Sequence, residues 1–316
     1  MLENVGFIEN KALNKLGALP GMLNVKKQIE QIIQYNRISK LRANQGLKTQ
    51  AQSNHMIFTG NPGTGKTTAA RLIGEAFSTL GILKSINKDD VPFIEIHHSD
   101  ITHPHVGEAE RTIKKKFKQA RGGVVFIDEA YAFIGGETSH KSGEKVIAAI
   151  VQLMEDMREE IMVIAAGYSR EMDQFLDSNP GLRSRFTNSV HFPDYSVPDM
   201  VKIAQTMMTD QDYYPDHGYM ELLVNRLWLE KDKKGFGNAR TVRNIIEQSI
   251  RLHSVRVAKL NNPCREDLTT LTKKDIFINA EEILSEKEIL LKALSQIQGR
   301  LLECELQEII SRKSTV

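Results

Sequence analysis

Residues Gly60 to Thr67 read GNPGTGKT and stand between a short apolar run, HMIFT, and an amphipathic stretch, TTAARLIGEAFSTLG. The spacing GxxxxGK[ST], after a strand and before a helix, is that of a phosphate-binding loop. Glycines at 60, 63 and 65 let backbone N–H groups converge on phosphate oxygens, and the helix N-terminus adds positive potential. Lys66 then reaches the β and γ phosphates, and the Thr67 hydroxyl becomes a magnesium ligand. The expected nucleotide cradle is Gly60, Asn61, Pro62, Gly63, Thr64, Gly65, Lys66, Thr67 and Thr68, with ATP and Mg²⁺ as the expected cofactors.

A second feature, GGVVFIDEAYAF over Gly122 to Phe133, puts two carboxylates behind a run of four strand-forming apolar residues. Charge at the end of a buried strand needs a reason. In the same sheet as the phosphate loop, Asp128 would hold Mg²⁺ beside Thr67, directly or through water. Glu129, one residue on, is placed to polarise a water aimed at the γ-phosphate. A small-molecule kinase would have to exclude that water, whereas an ATPase has to activate it. The competing reading of the pair alone is a helix N-cap aspartate with an incidental neighbour.

Short continuous apolar strands alternate with helices through the first two thirds of the chain. HMIFTG, PFIEIH, GGVVFI, IMVIAAG and SVHFP read as five strands; GMLNVKKQIEQIIQYNRISKL, TTAARLIGEAFSTLG, GEAERTIKKKFKQA and SGEKVIAAIVQLMEDMRE read as helices. That alternation predicts an α/β fold, a five-stranded mostly parallel sheet covered on both faces. From Tyr195 the pattern is wholly helical, including KKDIFINAEEIL, so a smaller helical domain follows a boundary near Phe192 to Ser196.

Composition narrows the partners. The chain has 316 residues, 41% of them hydrophobic, enough to bury a full core. With 42 basic against 40 acidic residues and a net charge of +2, it has no long-range field for nucleic acid or an anionic membrane. Cys264 and Cys304 are far apart and form no CxxC, so a reducing compartment fits. No leader pattern opens the sequence and no stretch approaches a membrane span, so a cytoplasmic location is expected.

The segments GNPGTGKTTAARLIGEAF, GGVVFIDEAYAF, IAAGYSREMDQFLDSNPGLRSRF and GNARTVRNIIEQSI together resemble the AAA+ ATPases. The likeness runs from about Leu19 to Arg256. It points to the group containing stage V sporulation protein K, the red-type Rubisco activase and the type VII secretion ATPases, and most to the sporulation member. The resemblance implies a P-loop NTPase AAA+ module: an N-terminal segment at 1–18, an α/β nucleotide domain at 19–193, a helical lid at 194–280 and a C-terminal helical extension at 281–316.

It also implies self-association into a ring, commonly a hexamer, acting on a protein client. On that resemblance Arg185 in SRF is the candidate arginine finger for the neighbouring subunit's site, with Arg183 second, in a segment that NPG opens as an exposed loop. Arg240 in GNAR matches the second sensor, and Arg243 either shares that role or pairs with an acid. Tyr168 and Ser169 stand where the first sensor is found, and Gly21, flanked by Leu19 and Met22, aligns with the segment beside adenine. The pore loop departs from the family: His105 occupies the position of the gripping aromatic, with Val106 and Gly107 matching. An imidazole offers less apolar area and charges below about pH 6.5. Threading of a polypeptide is thereby in question, and a nucleotide-controlled scaffold or assembly factor is the rival to a motor.

Other features have plain readings. His97, His98, His103 and His105 lack ligand spacing and read as a polar loop, not a metal site. Lys114, Lys115, Lys116 and Lys118 read as a solvated face or subunit contact in preference to a nucleic-acid site. Trp228 reads as core. Leu290, Leu291, Leu294, Ile297 and Leu301 form a helical stripe expected to pack on the chain's own helical domain, with partner binding as the alternative.

Overall fold

The computed structural model describes residues 10–49, 53–84, 91–100, 107–134, 140–278, 283–285 and 287–299. The chain divides into two compact units that part between Asp194 and Tyr195.

In the first unit, strands β1 (Met56–Gly60), β2 (Phe93–Ile96), β3 (Val124–Ile127), β4 (Met162–Gly167) and β5 (Asn188–Phe192) form one sheet in the order β2-β3-β4-β1-β5. Every pairing in it is parallel. Every residue of β3 and β4 is buried, as continuous apolar runs require when helices cover both faces. The covering helices are α1 (Lys11–Ala18), α2 (Leu23–Asn44), α3 (Lys66–Thr79), α4 (Glu108–Gln119), α5 (His140–Asp156), α6 (Ser169–Asp177) and α7 (Pro180–Arg185).

Alternation along β3 sorts those helices. Val125 and Ile127 face Ile113 and Phe117 of α4 and Ile147 and Ile150 of α5 in one buried cluster. Val124 faces α3, where a β-carbon on Gly74 would lie 2.3 Å from its Cγ2. Only glycine lets that helix come so close. α3 ends where the sequence places its stop: Gly81 has φ +64° and the Ile82 N–H returns to the Phe77 carbonyl at 2.9 Å.

The second unit holds α8 (Val197–Thr209), α9 (His217–Lys231), α10 (Ala239–Val257) and α11 (Arg265–Thr269). Trp228 is buried there, as are Leu223 and Leu227 of the same helix. Three expectations fail. The unit is not wholly helical: β6 (Tyr214–Pro215) pairs in parallel with β7 (Thr270–Leu271). KKDIFINAEEIL does not open a helix but a single 3₁₀ turn, Lys273–Asp275. Its cause is Asp275, which is fully buried and accepts from Arg256 Nε at 2.8 Å, Arg256 Nη2 at 2.9 Å and the Thr272 N–H at 2.8 Å. Satisfying a buried carboxylate outweighs helix periodicity. Finally, Leu290, Leu291, Leu294 and Ile297 lie on a helix over 287–299 and are all more than half exposed, so the expected stripe is not buried against the described residues; Leu301 lies outside them.

Candidate functional site

The phosphate loop leaves β1 through backbone that only glycine accepts. Gly60 has φ +142°, and a β-carbon there would sit 2.2 Å from the Phe192 carbonyl oxygen. Gly63 and Gly65 have φ +71° and +90°. Gly65 stands at the N-cap of α3 with no side-chain cap, so the first N–H groups of the helix face outward with the positive end of its dipole. Thr64 Oγ1 donates to the Asn61 carbonyl at 2.8 Å, and Lys66 Nζ donates to the carbonyls of Gly60 and Asn61 at 2.8 Å each. The lysine is held over the loop it would serve. Thr67 is half-buried and Thr68 exposed on the first turn.

Parallel register places the acidic pair. Ile57, Ala165 and Ile127 lie in one row across β1, β4 and β3. Asp128 is the next residue beyond that row, on the carboxyl edge where β1 delivers its loop. The two strands are separated only by β4, roughly 10 Å at ordinary strand spacing. Asp128 Oδ1 accepts from the Glu129 N–H at 3.1 Å, and Glu129 adopts φ +49°. The 3₁₀ turn Ala130–Phe133 that follows has no side-chain cap, so the helix-cap explanation of the pair fails. Left-handed backbone at a glutamate is strained and turns this exposed carboxylate out of line with its strand.

β4 ends between them at Gly167 and Tyr168. A β-carbon on Gly167 would lie 2.8 Å from the Tyr131 ring and 2.7 Å from Met172 Sδ. The Tyr131 and Tyr168 rings are 6.1 Å apart. Burial, then the nearby Glu129 carboxylate, pushes the Tyr131 phenol up to about 12, so it stays protonated and a donor. The sequence signal for Tyr131 is its position two residues beyond Glu129.

The arginines stand elsewhere. Arg183 and Arg185 belong to α7, a short helix capped by Asn179, whose Oδ1 accepts from the Gly181 N–H at 2.8 Å; the expected loop is not there. Proline at the first helical position and asparagine before it start a helix as well as a turn. α7 runs into the first residue of β5, which pairs with the first residue of β1. Both arginines therefore lie at the amino edge of the sheet, a strand length of roughly 15 Å from the phosphate loop. Arg183 pairs with Asp177 at 2.7 Å. Arg185 reaches Glu155 at 3.4 Å and the Gly181 carbonyl at 3.2 Å, while its buried Nε has no hydrogen-bond partner among the described residues. His55 shares this edge: Nδ1 accepts from the Val163 N–H at 3.0 Å, leaving Nε2–H for the Met154 carbonyl at 3.2 Å. Burial pulls its pKa down to about 4.

Gly21 and Met22 are both left-handed, at φ +64° and +56°, and turn the chain from Leu19 into α2. Arg240 and Arg243 are exposed on the first turns of α10 in the second unit. Gly107, at φ +89°, starts α4, whereas His103, His105 and Val106 lie outside the described residues. In the basic run of α4, Lys116 turns inward to Asp100 at 2.6 Å, leaving Lys114, Lys115 and Lys118 exposed.

Comparison with known proteins matches the model of the ATPase family associated with various cellular activities (AAA) to residues 56–194, and that of the AAA lid domain to residues 196–286. Stage V sporulation protein K of Bacillus subtilis (strain 168) is 39% identical over 84% of this chain and 82% of its own. The chromosomal protein CbxX of Cupriavidus necator is 35% identical over 82% of this chain and 80% of its own. The ESX-3 secretion system protein EccA3 of Mycolicibacterium smegmatis is also 35% identical, over 85% of this chain but 46% of its own. Among solved structures, the FIGL-1 AAA domain in complex with ADP superposes with a TM-score of 0.58 at 16% identity, over 93% of this chain and 98% of that one.

Proposed function

Because the chain belongs to the AAA family of ATPases, with the five-stranded P-loop sheet and the helical lid of that family, we propose that it hydrolyses Mg-ATP within an oligomeric ring and uses the energy to remodel a protein partner. The observation that carries the reading is the shared carboxyl edge, where the GNPGTGKT loop and the Asp128–Glu129 pair flank the end of β4.

The residues fit the groups they would bind. The uncapped N-terminus of α3 and the glycine-built loop suit an anion. The Thr67 hydroxyl and the Asp128 carboxylate are hard oxygen donors of the kind Mg²⁺ takes. Bound there, Mg²⁺ would neutralise charge on the phosphate oxygens. Lys66 would exchange its carbonyl partners for phosphate oxygens, and Glu129 would orient and polarise the attacking water. Tyr168 would sense the γ-phosphate from the end of β4; Arg240 would sense it from the lid; Gly21 and its neighbours would hold the base.

Arg185, at the far edge of its own sheet, would serve a neighbour's phosphates, with Arg183 beside it. A guanidinium supplied across an interface makes hydrolysis depend on assembly. Its unpaired Nε and its long contact to Glu155 leave it hydrogen-bonding capacity for a partner. The sporulation relative makes spore formation the first process in which to seek the client. His105, in place of an aromatic, keeps a nucleotide-controlled assembly factor as the second reading.

Steady-state ATP turnover measured across protein concentration tests the proposal. Specific activity should rise as rings form, and activity flat from the lowest concentration would count against assembly. Replacing His105 by Tyr and by Ala separates the two modes: a motor changes its remodelling rate, while an assembly factor holds its partner on ATP binding alone.

A further inference from the structure

The phosphate loop is tied by its own asparagine to the last residue of the first unit. Asn61 Nδ2 donates to both carboxylate oxygens of Asp194, each at 3.0 Å. Tyr195, the next residue, opens the second unit. Its N–H donates to Asn238 Oδ1 at 2.9 Å in a buried setting. Asn238 directly precedes α10, and its carbonyl accepts the N–H of Val242 at 3.1 Å, so its position sets where that helix begins.

Asn238 is also strained. It is fully buried with φ +51° and ψ −125°, a region that side chains avoid. Such a residue persists only when its surroundings over-determine it, and the bond to Tyr195 is one of the ties that do so.

We propose that Asn61, Asp194 and Asn238 are positioning residues that couple occupation of the phosphate loop to the start of α10. The proposal rests on the nucleotide reading above. The electrostatics supply the drive: Asp194 is an anion hydrogen-bonded to a loop that receives anions, and the charge facing it changes when the γ-phosphate leaves. Asn61 holds the carboxylate in place, and one peptide bond carries its displacement to the residue that Asn238 grips.

Amide hydrogen exchange over residues 239–246 of the full chain, with and without Mg-ATP, tests this. In the unsubstituted chain ATP should slow exchange there about fivefold or more, the lower range of site-to-site coupling. Asp194→Ala should still bind ATP, read by calorimetry, yet show less than about twofold protection. Asp194→Asn keeps an acceptor for Asn61 but removes the charge that drives the relay, and should lose protection as Asp194→Ala does. Asn238→Gly accepts the strained backbone while removing the side-chain acceptor, and should lose protection without unfolding. Full protection in Asp194→Ala or Asn238→Gly overturns the relay. ATP binding by the unsubstituted chain with no protection at 239–246 overturns the relay alone; no ATP binding overturns the nucleotide reading with it.

Discussion

The two edges of the central sheet are built in opposite ways. At the carboxyl edge the backbone is bent into glycine-only and left-handed conformations at Gly60, Gly63, Gly65 and Glu129, and Asp128 and Glu129 are left partly or fully exposed. At the amino edge the groups are engaged with one another: His55 is buried between β4 and α5, and Ser53 Oγ donates to the Arg185 carbonyl at 2.5 Å. One edge leaves its acidic pair partly or fully exposed, while the other satisfies most of its own polar groups. Among the described residues the exceptions at the amino edge are Arg185 Nε and Asn54 Oδ1, both buried and unpaired. The difference teaches that the arginines and the acidic pair cannot complete one centre within a single chain, because a whole strand length separates them.

The largest expected effects fall on these two groups. Arg185→Ala should lower turnover about 10³-fold, the low end of what a transferred arginine contributes, with ATP affinity little changed. Glu129→Gln should lower turnover by roughly 10²- to 10⁴-fold while retaining ATP, since only the water-activating carboxylate is lost. Single-turnover rates and ATP titration of each variant check both, and loss of ATP binding in either would break the assignment of edges.

Acid sensitivity should come from the amino edge. His55 titrates near 6.5 when unfolded and near 4 when folded, so between those values the unfolded chain binds the extra proton. Stability therefore rises with pH across that window and is lost on acidification through it, by roughly 3 kcal/mol. Denaturant midpoints from pH 7 to pH 4 should show this slope, and His55→Gln should flatten it. Next in size, Gly167→Ala forces a β-carbon against the Tyr131 ring and should cost about 1–3 kcal/mol by overpacking. If its thermal midpoint is unchanged, β4 and the Asp128–Glu129 turn are less tightly joined than the contacts imply. Smallest is Arg183→Ala. Its exposed pair with Asp177 should contribute no more than about 1 kcal/mol to stability.

The carboxyl edge was legible in the sequence because its chemistry is local. Eight consecutive residues specify the phosphate loop, and an acidic pair behind an apolar strand specifies the other half. Even the helix stop at Gly81 could be read. What stayed hidden depends on long-range packing. Asp275 bends its segment out of a helix to meet Arg256, which lies 19 residues away. Tyr131 matters because β4 brings Gly167 beneath its ring. Asp194 was one residue of a domain boundary until Asn61, 133 positions away, met its carboxylate. NPG marks an exposed loop on sequence grounds, but the residues from Pro180 form α7, since asparagine and proline serve helix starts and loops alike.

Mixing two inactive variants tests the central claim most directly. Arg185→Ala retains its acidic pair, and Glu129→Gln retains its arginine, so a ring built from both contains interfaces with one intact half from each chain. In a heterologous ring assembled at random from equal amounts, about a quarter of interfaces would be complete. Steady-state ATP turnover of the mixture should recover to that order relative to the unsubstituted protein, far above either variant alone. Turnover that stays at the level of the separate variants, in rings shown to be mixed, would contradict a centre shared between the amino edge of one chain and the carboxyl edge of the next.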